Sequence, residues 1–209
     1  MNLDIVSYLA LDVETPNARS DSLCSIGVVY KEYGQTVFER EYLVNPETHF
    51  DPFNISIHGI TPSMVYDAPC FPEVWEEIAP YALRMPVLAH NATFDLSVIS
   101  RTLARYELPA PSFSYICTCR LARRHIEKER FGNHRLNTLC DGLALPLVRH
   151  HNALYDAQAC AALFDLLLDK YGVDETDVQR YPKEKRPVKP RTKGTAASQK
   201  QKTPVAFEW

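Results

Sequence analysis

Asp12 and Glu14, in Tyr8-Leu-Ala-Leu-Asp12-Val-Glu14-Thr15, are two carboxylates set two residues apart in an otherwise apolar run. Residues 5–13 are apolar and β-rich and form too short a stretch to favour a helix, so a buried strand is expected. Side chains two apart on a strand share a face. Like charges side by side and away from water need a cation or a proton held between them, and a divalent metal is the natural candidate. More groups of the same chemistry follow. Asp95 opens an expected helix after a short strand, Asp156 lies early in the last expected helix, and His151 precedes Asp156 by five positions.

The elements around these groups must bring them together. Leu23 to Tyr30 and Thr36 to Val44 read as strands separated by Glu-Tyr-Gly34, so the first three strands form an antiparallel meander. Asn45 to Ile57 reads as a loop holding Pro46 and Pro52, and Thr61 caps a short helix begun by Pro62. Phe71 to Leu83 is amphipathic, with Pro80 kinking it or ending it early. Strand and helix then alternate. Val87 to His90 is a strand, and Thr93 to Tyr106 a helix whose apolar stripe is Phe94, Val98, Ile99 and Leu103, with Asp95 in a first turn that favours negative charge. Ser112 to Thr118 is a strand, Cys119 to Glu127 and Leu136 to Leu143 are helices, and Ala153 to Tyr171 is a helix stopped by Gly172. The class is α/β: a mixed five-stranded sheet of three antiparallel strands followed by α/β units, flanked by helices.

The 209 residues, 45% hydrophobic, suffice for one substantial core, expected over residues 1–173, with a basic flexible tail over 174–209. Apolar runs all fall short of the about 18 residues of a membrane span. The first residues lack a basic region and reach acids at once, unlike a signal peptide. Six cysteines without a CxxC pair suit reduced, buried thiols and a cytoplasmic location. From Val178 to Trp209, nine Lys or Arg against two Glu give +7, which leaves −10 for residues 1–177 out of the total of −3. An acidic body does not grip nucleic acid by bulk charge, so such binding has to be local and metal-assisted. The tail ends in Pro204-Val-Ala-Phe207-Glu-Trp209, an apolar cluster suited to a partner protein, a neighbouring subunit or the body's own surface, or else a terminus with incidental aromatics.

Leu11-Asp-Val-Glu-Thr15, His90-Asn-Ala-Thr-Phe-Asp95 and His151-Asn-Ala-Leu-Tyr-Asp-Ala157, in that order, resemble the motifs of the DEDDh family of 3′–5′ exonucleases, the group containing the proofreading epsilon subunit of bacterial DNA polymerase III. Ile57 to Thr61 and Cys117 to Arg123 are also similar to family elements, and the resemblance covers about residues 5–171. It implies a ribonuclease H-like fold, metal-binding Asp12, Glu14, Asp95 and Asp156, and a catalytic His151. The implied reaction is hydrolysis at single-stranded or frayed 3′ ends, DNA favoured over RNA, releasing nucleoside 5′-monophosphates. Two Mg²⁺ or Mn²⁺ ions about 3.5–4 Å apart suit such an in-line displacement, with Asp12 bridging them and Glu14 and Asp156 beside the nucleophile. His151 then takes the proton of the attacking water. One departure is Pro16-Asn17, where many family members have Thr-Gly. Thr15, His58, Asn91 and Phe94 flank the acids as substrate contacts, Phe94 by stacking or else as core packing. Arg120, Arg123, Arg124, Lys128 and Arg130 form a stretch for backbone phosphates or a solvated face. Two rivals are an exoribonuclease of the same fold and a non-catalytic nucleic-acid-binding scaffold; the scaffold predicts loss of a motif residue, and all five are present.

Overall fold

Ser7–Glu14 (β1) is an almost unbroken apolar run, and Tyr8, Leu9, Ala10, Leu11 and Val13 are all buried. A strand covered on both faces reads that way, so β1 lies inside the sheet. In the computed structural model, which describes residues 3–182, β1 pairs antiparallel with Ser25–Glu32 (β2) and parallel with Val87–Ala89 (β4). Gln35–Leu43 (β3) is the outer strand of the meander. The two-residue turn joining it to β2 has φ of 48° at Tyr33 and 75° at Gly34, the twist a tight hairpin needs. Phe113–Cys117 (β5) runs parallel to β4, and Val178–Tyr181 (β6) closes the row antiparallel to β5, in the order β3-β2-β1-β4-β5-β6.

Alternation along β1 feeds two cores. Leu9, Leu11 and Val13 pack on one face with Phe71–Ala82 (α2) and Thr93–Arg105 (α3). Tyr8 and Ala10 pack on the other with Thr118–His125 (α4), Leu136–Leu143 (α6) and Ala153–Tyr171 (α7). Asp12 and Glu14 share the parity of Tyr8 and Ala10, so they project towards α7. Pro52–His58 (α1) and the single turn Lys128–Phe131 (α5) complete the helices.

The structure departs from the sequence reading at three places. The sheet has six strands, because residues assigned to the tail pair with the free edge of β5, while Arg124 binds Asp174 and both carboxylate oxygens of Asp177 at 2.7–2.9 Å. The rest of that tail, 183–209 with its apolar end, lies outside the described residues. Residues 52–58 form a helix where a loop was expected: Pro52 supplies the first turn, and Gly59, at φ 77°, donates its N–H to Ile55 O as the C-cap. Phe94 leaves the buried stripe of α3 and is 44% exposed; Leu96, Val98, Ile99 and Leu103 fill the core instead. Among the described residues no helix is long and apolar enough to cross a membrane, and all six cysteines are free.

Candidate active site

Four carboxylates meet at the C-terminal end of β1. Asp12 and Glu14 come from the strand, and Asp156 from the first turn of α7. Ligand oxygens of these three lie within 4.8 Å of one another. Asp95, in the first turn of α3 and 2% exposed, lines the same cleft and accepts a 3.3 Å hydrogen bond from Val13 N, the amide between the two β1 acids. The cleft encloses about 290 Å³ and is also walled by His90, Phe94, Arg135, Leu136, His150 and His151.

The approach of α7 depends on Gly27 of β2, which is in register with Asp12. A Cβ there would lie 2.2 Å from the carbonyl carbon and oxygen of Ala153 and 2.3 Å from Leu154 N. Without a side chain at 27, the first turn of α7 lies flush on the sheet and Asp156 reaches the β1 acids. Asn152 fixes the same turn from the side. Its Oδ1 caps Tyr155 N at 3.1 Å while its Nδ2 donates to both oxygens of Glu41 at 3.0 Å, and Glu41 also accepts from Ser25 Oγ.

The acids of the cluster repel one another. Burial first, then repulsion from Asp156, Asp95 and Glu41, pushes Glu14 up to about 8. Burial and the neighbouring acids push Asp12 well above the carboxylate range. Asp95 is also raised by burial, against the lowering effect of its backbone hydrogen bonds. Partial relief comes from His150, whose Nδ1 donates to Asp156 Oδ1 at 2.8 Å and is raised by that bond. Four carboxylates in a buried cleft with one histidine as direct partner fit a site for hard cations, which prefer oxygen donors.

His151 sits at φ 64°, in the left-handed region, which turns its backbone N–H onto Asp156 Oδ2 at 2.8 Å while its ring stacks on His150 with centroids 3.8 Å apart. Burial and His150 lower its pKa, so the ring is neutral near pH 7 and open to a proton. Behind the cleft, His90 donates from Nε2 to His134 O at 2.8 Å and accepts at Nδ1 from Thr118 Oγ1 at 3.0 Å. Burial pushes His90 down to about 4, so it is a neutral strut that places Arg135, next to His134, at the rim.

Of the four residues expected at the substrate, Phe94 lines the cleft. Thr15, His58 and Asn91 do not. Thr15 O accepts from Asn54 Nδ2 at 2.9 Å and from the buried His58 Nε2 at 3.2 Å, and His58 Nδ1 in turn accepts from Ile60 N. This pair fastens α1 to the loop after β1. Asn91 is exposed at φ 74° in the turn ahead of α3. Pro16 and Asn17 are buried, and Asn17 Nδ2 donates to His49 O at 2.8 Å, so the departure from Thr-Gly is built into the loop's own packing. In the basic stretch, Arg120 and Arg124 are spent on Thr176, Asp174 and Asp177. The arginine at the cleft is Arg135, which the sequence reading passed over together with Gly27, His90, His150 and Asn152. Of these, Asn152, a helix cap before an apolar run, carried a readable sign.

A mixed sheet in this order, with four carboxylates and a histidine at the end of its central strand, defines a nuclease of the ribonuclease H-like class. The family model described as exonuclease, that of RNase T, matches residues 9–164. A PolC-type DNA polymerase III of Oceanobacillus iheyensis is 33% identical over 171 residues, 81% of this chain but 12% of the polymerase. A putative bifunctional exonuclease/endonuclease protein of Mycobacterium tuberculosis is 29% identical over 180 residues, 82% of this chain and 28% of that protein. The chain thus spans a small part of these relatives. Among solved structures, exonuclease X in complex with 5′-overhanging duplex DNA superposes with a TM-score of 0.65 at 29% identity, covering 81% of this chain and 96% of that one. The nuclease domain of 3′hExo, a DEDDh family member bound to rAMP, gives 0.67 at 18% identity over 82% and 96%, a likeness of fold. The chain belongs to the RNase T exonuclease family, whose model spans three quarters of it.

Proposed function

We propose that the protein is a metal-dependent 3′–5′ exonuclease that removes nucleoside 5′-monophosphates from 3′ ends of DNA. The observation that carries this reading is the triplet Asp12, Glu14 and Asp156, within 4.8 Å of one another, with Glu14 and Asp156 buried, Asp12 half-buried and all three short of cationic partners. Asp12, Glu14, Asp156 and Asp95 would hold two divalent cations, Mg²⁺ or Mn²⁺. When bound, such ions supply charge stabilisation to the attacking and leaving oxygens of the phosphodiester.

The chain's own residues do the rest. His151 accepts the proton of the attacking water and passes it out to solvent from its exposed position. Phe94 offers an exposed ring on which the terminal base stacks. Arg135, which also lines the cleft, meets the anionic phosphate. DNA is favoured because the exonuclease X neighbour, at 29% identity, is bound to DNA and the PolC-type relatives are DNA polymerases. Unpaired cysteines support a cytoplasmic location.

The test uses matched DNA and RNA oligonucleotides, labelled at either end, with Mn²⁺ or EDTA. Stepwise shortening from the 3′ end of DNA, with 5′-monophosphates released and loss of turnover in EDTA, is expected. Faster RNA turnover makes it an exoribonuclease, and full activity in EDTA or in Asp12→Ala removes the reading altogether.

A further inference from the structure

The two segments that deliver acids to the cleft continue past it, and between them they wall a second depression of about 570 Å³ lined by Arg19, Ser20, Asp21, Arg101, Ala104 and Arg105. One wall is the loop after β1, which reaches Arg19 five residues beyond Glu14. The other is α3, which reaches Arg101 six residues beyond Asp95. At 100° per residue, Phe94, Arg101 and Arg105 fall on one stripe of α3, within about 20° of a line. The solvent side of that helix therefore leads from the cleft's exposed aromatic to two guanidinium groups.

The charges there are held loosely. Arg101 is exposed and pairs with no acid among the described residues. Arg19 is 66% exposed at its side chain and meets Asp21, two residues away. Arg105 donates to Pro46 O at 2.8 Å and lies 3.7 Å from Glu47. Three arginines gathered beside the active site stand out on a body whose residues 1–177 sum to −10.

We propose that this groove binds the phosphodiester backbone of the strand whose 3′ end lies in the cleft, holding it a few nucleotides upstream of the reacting bond. The proposal rests on the exonuclease reading of the cleft and adds a substrate-length preference to it. Seven residues of helix from Phe94 to Arg101 span about 10 Å and eleven to Arg105 about 16 Å. At about 3.4 Å of rise per nucleotide in a stacked strand, these distances correspond to about three and five nucleotides. An acidic peptide would also suit three arginines, yet both walls start at the catalytic acids, which ties the groove to the same ligand.

The test compares the full chain with R19Q/R101Q and R19K/R101K. Arg105 is left in place because it also ties α3 to the Pro46–Glu47 turn. Anisotropy of 5′-labelled dT16 and dT3 is titrated with salt in EDTA, and hydrolysis of both is timed with Mn²⁺. R19Q/R101Q is expected to weaken dT16 binding roughly three- to tenfold at low salt and to flatten its log Kd against log salt slope by about 1.4, two single-strand contacts at about 0.7 each. The lysine variant retains most of the affinity, and kcat on dT3 is unchanged. Equal dT16 binding by all three proteins overturns the proposal, as does equal weakening of dT3 and dT16. If dT16 binding depends on the arginines while neither oligonucleotide is hydrolysed, the groove stands and the catalytic reading fails. Intact hydrolysis without arginine dependence removes the groove alone.

Discussion

Gly27→Ala is the smallest change that tests how the active site is assembled. The new methyl would sit 2.2 Å from the backbone carbon and oxygen of Ala153, and ordinary contact begins near 3.4 Å, so β2 and the first turn of α7 must part by more than 1 Å. Backbone cannot rotate out of the way as a side-chain tip can. The shift carries Asp156, whose Oδ1 and Oδ2 are held by His150 and the His151 amide, away from Asp12 and Glu14. A misplacement of about 1 Å at reacting groups costs about 10²-fold in rate. Overpacking costs about 1–3 kcal/mol, and a domain of this size loses about 2–4 °C in Tm per kcal/mol. The assay is kcat and KM on a labelled oligonucleotide at a temperature where circular dichroism shows the variant folded, beside its melting curve. We expect kcat to fall about 10²-fold or more with a moderate loss of Tm. A control, Leu103→Ala in the opposite core, should lose about 2–5 kcal/mol and keep its kcat while folded. If Gly27→Ala stays within about threefold of wild type, below that 10²-fold effect, the spacing of α7 and β2 does not set the site and the reasoning is wrong.

Other expectations follow from single contacts. His151→Ala should lower kcat by about 10² to 10⁴ with metal binding unchanged; a fall below about tenfold removes the general-base role. Phe94→Ala should raise KM about 5- to 150-fold, the worth of about 1–3 kcal/mol of stacking, without changing Tm, since the ring is exposed; a lowered Tm with unchanged KM would restore the core role. For metal-free protein, Glu14's folded value of about 8 lies above its ordinary 4.5. Folding therefore favours the protonated acid, and that stabilisation is whole below about 4.5 and lost as pH rises through about 8. In EDTA, Tm should fall between those values and Glu14→Gln should melt higher than wild type at pH 8, a few kcal/mol at most by about 1.36 per pH unit; parallel Tm profiles would contradict this. Arg124→Ala should expose 174–182 to proteolysis while sparing kcat on a short oligonucleotide; unchanged cleavage would show that β6 docks without it.

Features carried by local chemistry were legible in the sequence. The β1 run, the acid-opened α3, and α6 and α7 were bounded by apolar periodicity, and all five motif residues come together as their order implied. What escaped depended on partners distant in sequence. β6 is four mostly polar residues whose strand character comes from β5's free edge. Gly27 reads as an ordinary strand glycine until the backbone of Ala153 is found against it. His58 read as a substrate contact beside the acids, whereas it is buried with its ring on Thr15 O and braces the loop after β1. Arg120 and Arg124 read as phosphate contacts or a solvated face, whereas Arg120 donates to Thr176 O and Arg124 pairs with Asp174 and Asp177, and Arg135 was hidden because its place at the cleft depends on the loop that His90 holds.

If the carboxylates of the cleft hold divalent cations, a Mn²⁺ titration of the full chain followed by electron paramagnetic resonance will show it, with Asp12→Asn as comparison. Two bound Mn²⁺ per wild-type chain are expected, and in Asp12→Asn a native circular dichroism spectrum with loss of Mn²⁺ binding and of exonuclease activity. Undiminished Mn²⁺ binding by the variant, or a wild-type chain that binds no Mn²⁺ and still shortens DNA, would contradict it.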